Sequence, residues 1–101
     1  MLTFVIVCGG PTGVALAGAL TELLHSALGR DFRTIHPESA RVLLLEAGPA
    51  VLPSFPPVLQ QKAARHLEEL GVEVRLSTEV QTVDAAGVIA RGERIGAGTV
   101  L

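Results

Sequence analysis

The chain has 101 residues, of which 49% are hydrophobic, and this is the size of one domain with a modest hydrophobic core. Its formal net charge is −2 and its basic residues are scattered, which excludes the basic surface that a nucleic-acid partner requires. Cys8 is the only cysteine, so a disulfide within the chain is excluded and a reducing compartment, the cytoplasm, is expected. No apolar run approaches the ~18 residues that span a membrane.

The first three quarters of the chain predict strands that alternate with helices. The predicted elements are a strand over 3–8, a helix from the turn at 9–13 to about residue 28, a strand over 41–46, a helix over 57–70 and a strand over 72–76. The first two strands are uninterrupted apolar runs, typical of a sheet covered on both faces. Pro57 near the first turn and Gly71 just past the end bound the second helix. This order predicts an α/β, Rossmann-like parallel sheet with right-handed crossovers.

Helical spacing also predicts which faces are buried. The inner face of the first helix is predicted to consist of Leu16, Leu20, Leu23, Leu24 and Ala27. The inner stripe of the second helix is predicted to consist of Leu59, Ala63, Leu67 and Leu70. Gly18 is expected to allow close packing of the first helix on the sheet, and Gly29 to end that helix. Residues 30–40 form a polar connection with His36 and Pro37.

After Ser77 the pattern changes to short strands over 79–83, 87–90 and 93–95, with turns at 84–87 and 91–92. This pattern is typical of a small antiparallel meander. Residues 99–101 resemble the opening of one more strand that stops mid-element. We therefore interpret 1–101 as a single domain, with a core over 1–76 and the meander and truncated last strand over 77–101.

The turn after the first strand contains most of a phosphate-binding motif. Gly10 and Gly13 hold the second and third positions of G-x-G-x-x-G, and Cys8 holds the first. Such glycines let the backbone approach a pyrophosphate at a helix N-terminus. A Cβ at Cys8 is expected to strain the turn, and its thiol is interpreted as a small buried hydrophobe. The alternative is that the glycines only connect strand to helix.

Glu46 ends the second strand, where a carboxylate accepts hydrogen bonds from adenosine ribose hydroxyls and repels a 2′-phosphate. NAD(H) is therefore expected over NADP(H), the alternative being an ordinary exposed glutamate at a strand end. The candidate cofactor-binding residues are Gly9, Gly10, Pro11, Thr12, Gly13, Glu46 and Ala47. We predict no catalytic residue and no metal ligand, because the chain has no tyrosine, Lys62 is outside any P-loop motif, and the histidines lack ligand-like spacing.

Four segments together resemble one known family. They are Val5–Leu20, Val42–Pro49, Val51–Pro53 and Leu67–Val74. They are similar to the NAD-binding domain of the FAD-dependent pyridine nucleotide-disulfide oxidoreductases, and most of all to type II NADH dehydrogenases, which are NADH:quinone oxidoreductases. In that family NADH docks on the glycine turn and passes hydride to FAD, which reduces a quinone at the membrane surface.

The resemblance implies that Gly10 and Gly13 contact the pyrophosphate of NADH and that Glu46 contacts the ribose. Two positions depart from the family pattern: Cys8 stands where a glycine is usual, and Ala15 where a glutamate near the nicotinamide and flavin is usual.

The resemblance covers only the NAD-binding domain of such an enzyme, and no second glycine-rich motif for FAD is present. We therefore expect a fragment that lacks the FAD-binding domain and binds NADH without turnover alone. The parent enzyme would be cytoplasmic or peripheral on the cytoplasmic face of the membrane, with a quinone as acceptor. The alternatives are a non-catalytic nucleotide-sensing or partner-docking module and a degenerate fragment.

Overall fold

The computed structural model describes residues 2–28 and 40–101, which contain two helices and seven strands. In chain order these are β1 (Leu2–Val7), α1 (Pro11–Leu28), β2 (Ala40–Leu45), α2 (Pro57–Leu70), β3 (Glu73–Arg75), β4 (Val80–Asp84), β5 (Gly87–Ala90), β6 (Glu93–Gly96) and β7 (Thr99–Val100). The predictions for Gly29, His36, Pro37 and the side chain of Ala27 lie outside the described residues. Within the described part, no helix is both long and apolar enough to cross a membrane.

Four strands form a parallel sheet in the order β3-β2-β1-β7, and three form an antiparallel sheet in the order β4-β5-β6. In the parallel sheet Val5 of β1 lies opposite Leu43 of β2, and Leu44 lies opposite Val74 of β3. The predicted Rossmann-like sheet followed by a meander is therefore confirmed. The segment beginning at Thr99 leaves the meander and pairs with β1, which makes it the edge strand of the parallel sheet.

The parallel sheet is covered on both faces, as its continuous apolar strands require. One face packs against the helices, through a cluster that includes Ile6, Ala17, Leu24, Val42, Leu44, Val51 and Leu67. The other face packs against the antiparallel sheet, through Val5, Leu43, Leu45, Val88, Ala90, Ile95 and Ala97. Within the described part of the chain, the carboxyl ends of the parallel strands lie outside this covering, which is where ligands bind in open α/β sheets.

The bounds of the helices agree with the sequence, and the predicted buried face of α1 is confirmed only in part, because Leu20 and Leu24 pack on the core whereas two other leucines do not. Leu23 is 65% exposed and Leu16 is 37% exposed, whereas Ala17 and Thr21 are fully buried. Thr21 is accommodated because its hydroxyl donates to the Ala17 carbonyl at 3.0 Å and the Gly18 carbonyl at 2.9 Å. The buried face of α1 is thus rotated from the predicted leucine stripe.

The predicted inner stripe of α2 is confirmed for Leu67, Ala63 and Leu70, which pack on the core with Ala64 beside them. Leu59 was wrongly included, because it is 43% exposed. Gly18 does not allow close packing, because a Cβ built there has no atom within 4 Å.

The meander contains a hairpin with an ion pair, and the contribution of this pair to the stability of the chain should depend on pH. The Ala86 N–H donates to Asp84 Oδ1 at 2.8 Å, and the Arg94 guanidinium contacts the same carboxylate at 3.1 Å. The hydrogen bond from Ala86 and then the pair with Arg94 lower the pKa of Asp84 below the ordinary 3.8. A lowered folded-state pKa gives a stabilisation that is present above the unfolded pKa and is lost as the pH falls through the folded one.

Asp84→Asn should therefore destabilise the chain at pH 7 and have a smaller effect at pH 3. The asparagine oxygen still accepts from the Ala86 N–H, but it cannot pair with Arg94. Urea unfolding of both proteins at the two pH values measures the difference. An equal destabilisation at pH 7 and pH 3 would show that the charge of Asp84 plays no part.

Candidate functional site

The carboxyl ends of β1, β2 and β3 meet at one rim of the parallel sheet, where three loops come together. The Cys8 N–H donates to the Leu45 carbonyl at 2.7 Å, and the Glu46 N–H donates to the Arg75 carbonyl at 3.0 Å. The Thr78 N–H then donates to the Glu46 carbonyl at 2.9 Å. The glycine turn, the end of β2 and the segment after β3 are thereby fixed beside one another, at the position where open α/β sheets bind ligands.

The glycine turn brings the start of α1 against the end of β1. A Cβ on Gly13 would lie less than 3.0 Å from the carbonyl oxygen of Cys8, so only glycine allows this approach. Cys8 has a φ of 92°, which confirms the expected strain and shows that Cys8 itself adopts the left-handed conformation. The interpretation of Cys8 as a buried hydrophobe was wrong, because the residue is exposed.

The first turn of α1 has the features of an anion-binding helix N-terminus. Pro11 begins the helix and has no N–H, so Thr12 and Gly13 present the first unpaired backbone donors. The Val14 N–H donates to the Gly10 carbonyl at 2.9 Å and starts the helical pattern. Pro11 and Thr12 are exposed, Gly10 is half-buried, and the first turn contains no acidic residue. A phosphate would therefore meet N–H groups and the positive end of the helix dipole without a competing carboxylate.

Glu46 is a buried carboxylate, not an ordinary exposed strand-end residue. It is 6% exposed, and its Oε1 accepts from the Gly9 N–H at 2.8 Å while its Oε2 accepts from the Gly48 N–H at 2.7 Å. Each carboxylate oxygen has a second lone pair, so Glu46 keeps the capacity to accept two further hydrogen bonds. Its side chain thus joins the glycine turn to the loop after β2 at the centre of the rim.

Two adjoining pockets lie along this rim. The first, of about 210 Å³, is lined by Val7, Cys8, Leu45, Glu46, Ala47, Thr78, Glu79 and Val80. The second, of about 380 Å³, is lined by Ala47, Ser77, Glu79, Gln81 and Arg91. Ala47 and Glu79 line both, which makes one groove from the glycine turn to the meander.

The family model of the pyridine nucleotide-disulphide oxidoreductases matches residues 2–101. The chain belongs to this family. Curated members with similar sequences include two type II NADH:quinone oxidoreductases of Mycobacterium tuberculosis. NdhA is 50% identical over 97 residues, which cover 92% of this chain and 21% of the relative. Ndh is 46% identical over 91 residues, which cover 90% of this chain and 20% of the relative.

Solved structures show the same fold. NDH2 of Plasmodium falciparum, determined in complex with NADH, superposes with a TM-score of 0.85 at 20% identity, over 99% of this chain and 22% of that one. A ferredoxin reductase from Rhodopseudomonas palustris gives 0.74 at 16% identity, over 98% of this chain and 22% of that one. The resemblance to type II NADH dehydrogenases is thus confirmed, and the chain spans about a fifth of the length of the curated relatives it matches.

The sequence did not reveal every residue that this family member places at its groove. Glu79 and Val80 were predicted only as part of the first meander strand and Thr78 was given no role, although all three follow β3 at the same sheet rim. Their position directly after a parallel strand was the available signal. Gly48 was also missed, and its nearness in sequence to Glu46 was the clue that its amide reaches the carboxylate.

Removing the Cβ of the left-handed Cys8 with Cys8→Gly should stabilise the chain by about 1 kcal/mol. Relief of a left-handed non-glycine residue contributes about 1–2 kcal/mol, and the larger unfolded-state entropy of glycine offsets part of it. Urea unfolding compares the variant with the parent chain and with Cys8→Ala, which keeps the Cβ. A stability no higher than that of Cys8→Ala would contradict the assignment of strain to Cys8.

Proposed function

We propose that this chain binds NADH through its ADP half, as the NAD(H)-binding domain of a FAD-dependent NADH dehydrogenase. The observation that carries the proposal is the buried Glu46 carboxylate, held by the amides of Gly9 and Gly48 beside the glycine turn. A glutamate whose only role is to hold two loops together has no need to border a pocket. Glu46 does border one, because it lines the groove at the ends of the strands.

The polar groups of the rim fit the parts of a dinucleotide. The free lone pairs of Glu46 accept hydrogen bonds from the two adenosine ribose hydroxyls, and its negative charge opposes a 2′-phosphate. The amides at Thr12 and Gly13 receive the pyrophosphate, which approaches closely because Gly13 has no side chain. Gly10, Pro11 and Ala47 are accessible beside these contacts, and the buried Gly9 contributes through its hydrogen bond to Glu46.

We propose that the whole protein passes electrons from NADH to a quinone, as the names of its Mycobacterium tuberculosis relatives state for those enzymes. FAD would accept the hydride there, and its site lies outside these residues. The role of this chain is to bind and orient the nicotinamide cofactor, because a dinucleotide site supplies no chemistry of its own. FAD and the quinone therefore belong to the complete enzyme.

One observation favours a second candidate, a module that senses a nucleotide without redox chemistry. Ala15 is exposed on the first turns of α1, where members of the family usually carry a glutamate near the nicotinamide and flavin. This module would bind NADH with the same contacts and respond through a partner. It differs from the first candidate in that the complete protein would not oxidise NADH.

Titration of the purified chain with NADH and with NADPH, followed by nicotinamide fluorescence, tests the proposal. We expect saturable binding of NADH, weaker binding of NADPH and no NADH oxidation after FAD is added. Circular dichroism of the same sample establishes that the chain is folded. A folded chain that binds neither nucleotide would refute the proposal, and NADH oxidation by the chain with FAD would refute the assignment of FAD binding to other residues.

A further inference from the structure

Arg91 differs from the other arginines of the two sheets in its contacts. Arg41 and Arg75 both contact the Glu73 carboxylate, at 3.0 and 3.5 Å, and Arg94 contacts Asp84 at 3.1 Å. Within residues 2–28 and 40–101, the guanidinium of Arg91 makes no hydrogen bond and no ion pair. It lines the second pocket of the groove instead.

The turn that carries Arg91 fixes its backbone. Ala90 pairs with Glu93, so Arg91 and Gly92 form a two-residue hairpin loop, with φ of 53° and 76°. Positive φ at both positions is the type I′ geometry, in which asparagine is preferred to arginine at the first position. The Gly92 N–H donates to Gln81 Oε1 at 3.1 Å, which fastens the turn to β4. The arginine that lines the groove therefore lies at a turn position whose backbone conformation is unfavourable for arginine.

The second pocket has the polar groups that a neutral heteroaromatic ring needs. Glu79 provides an acceptor, Arg91 provides donors and a flat face for stacking, and the Gln81 amide keeps its donor because its oxygen is already used. Adenine has both an amino donor and ring-nitrogen acceptors. A 2′-phosphate fits less well, because the Glu79 and Glu46 carboxylates of the groove would both oppose it.

We propose that this second pocket holds the adenine ring of the dinucleotide and that Arg91, a residue of the meander, determines the affinity by stacking its guanidinium on the face of the ring. The inference rests on the proposed function, because the ribose must first be held by Glu46. Ala47 and Glu79 line both pockets, so a base attached to that ribose reaches the second pocket along one groove.

Fluorescence titration of the full chain with NADH and NADPH, with AMP as a competitor, tests the role of Arg91. Arg91→Gln is expected to weaken the binding of NADH and of AMP by about tenfold, equivalent to about 1.4 kcal/mol. Arg65→Gln, which removes an exposed arginine on α2, is the control of equal net charge and should leave both affinities unchanged. Arg91→Asn suits the type I′ turn and should weaken binding equally while its unfolding temperature stays the same or rises.

The outcomes separate this inference from the proposed function. If the parent chain binds NADH and Arg91→Gln binds it as tightly as Arg65→Gln does, the role of Arg91 is wrong and the proposed function stands. If Arg91→Gln weakens NADPH far more than NADH, the pocket holds the 2′-phosphate and the adenine assignment is overturned. If the folded parent chain binds neither NADH nor AMP, the proposed function fails and the inference fails with it.

Discussion

Glu46→Ala is expected to lower the free energy of unfolding by about 4 kcal/mol and to abolish measurable NADH binding. The substitution removes two charge-assisted hydrogen bonds, from the N–H groups of Gly9 and Gly48. It also leaves the buried Gly9 donor unsatisfied, because the residue is enclosed at the rim. The ribose loses its acceptor in the same step, so stability and affinity fall together.

Glu46→Gln separates the two effects. A side-chain amide has one acceptor oxygen, so it can serve one of the two backbone donors while its NH₂ group faces the other. We expect about half of the loss of stability seen with alanine, measured by urea unfolding. Glu69→Ala, at an exposed position of α2, is the matched control and should change stability by at most about 0.5 kcal/mol. A loss no larger than this for Glu46→Ala would contradict the bridging role.

Gly13→Ala should destabilise the chain by about 3 kcal/mol and weaken NADH binding strongly. The new methyl group would overlap the Cys8 carbonyl oxygen, which is backbone and cannot move aside without displacing the end of β1. The start of α1 must therefore shift away from the strand, and the N–H groups that would face the pyrophosphate shift with it.

Gly18→Ala is the matched control in the same helix. A Cβ there meets nothing within 4 Å, so alanine contributes its higher helix propensity and should stabilise the chain by about 0.5–1 kcal/mol. Both substitutions make the same chemical change, so the difference between their urea midpoints measures the cost of the overlap. Similar stabilities of the two variants would mean that Gly13 is not required for close approach.

Much of the fold could be predicted because the local signals for strands and helices agree with the burial that the folded sheet requires. The apolar runs of β1 and β2 require burial on both sides, and Pro57 and Gly71 bound α2 where the structure begins and ends it. Gly71 has a φ of 90°, the left-handed conformation typical after a helix. Part of the buried face of α1 was missed because an apolar pattern counts Thr21 as polar, whereas its hydroxyl is satisfied by carbonyls of its own helix.

The site could be predicted only in part. The glycine turn and Glu46 follow from a motif that lies close together in sequence, but the contact between Gly9 and Glu46 joins residues 37 apart. Arg91 has no local motif at all, since Arg-Gly between two strands predicts only a turn. Its place in the groove depends on how the meander packs on the sheet, which the apolar pattern does not specify.

The hydrogen bond between Gly9 and Glu46 also makes the proposed nucleotide site a property of the folded chain as a whole. The turn and the carboxylate come together only when β1 and β2 pair in register. A chain in which these strands are unpaired therefore lacks the site. Folding is required for binding, and binding in turn favours folding, because a ligand that binds only the folded state raises its stability. NADH at a hundred times its dissociation constant would add about 2.7 kcal/mol to the unfolding free energy. On the proposed function, NADH would therefore also protect the fold of these residues against proteolysis, an effect that requires no electron transfer.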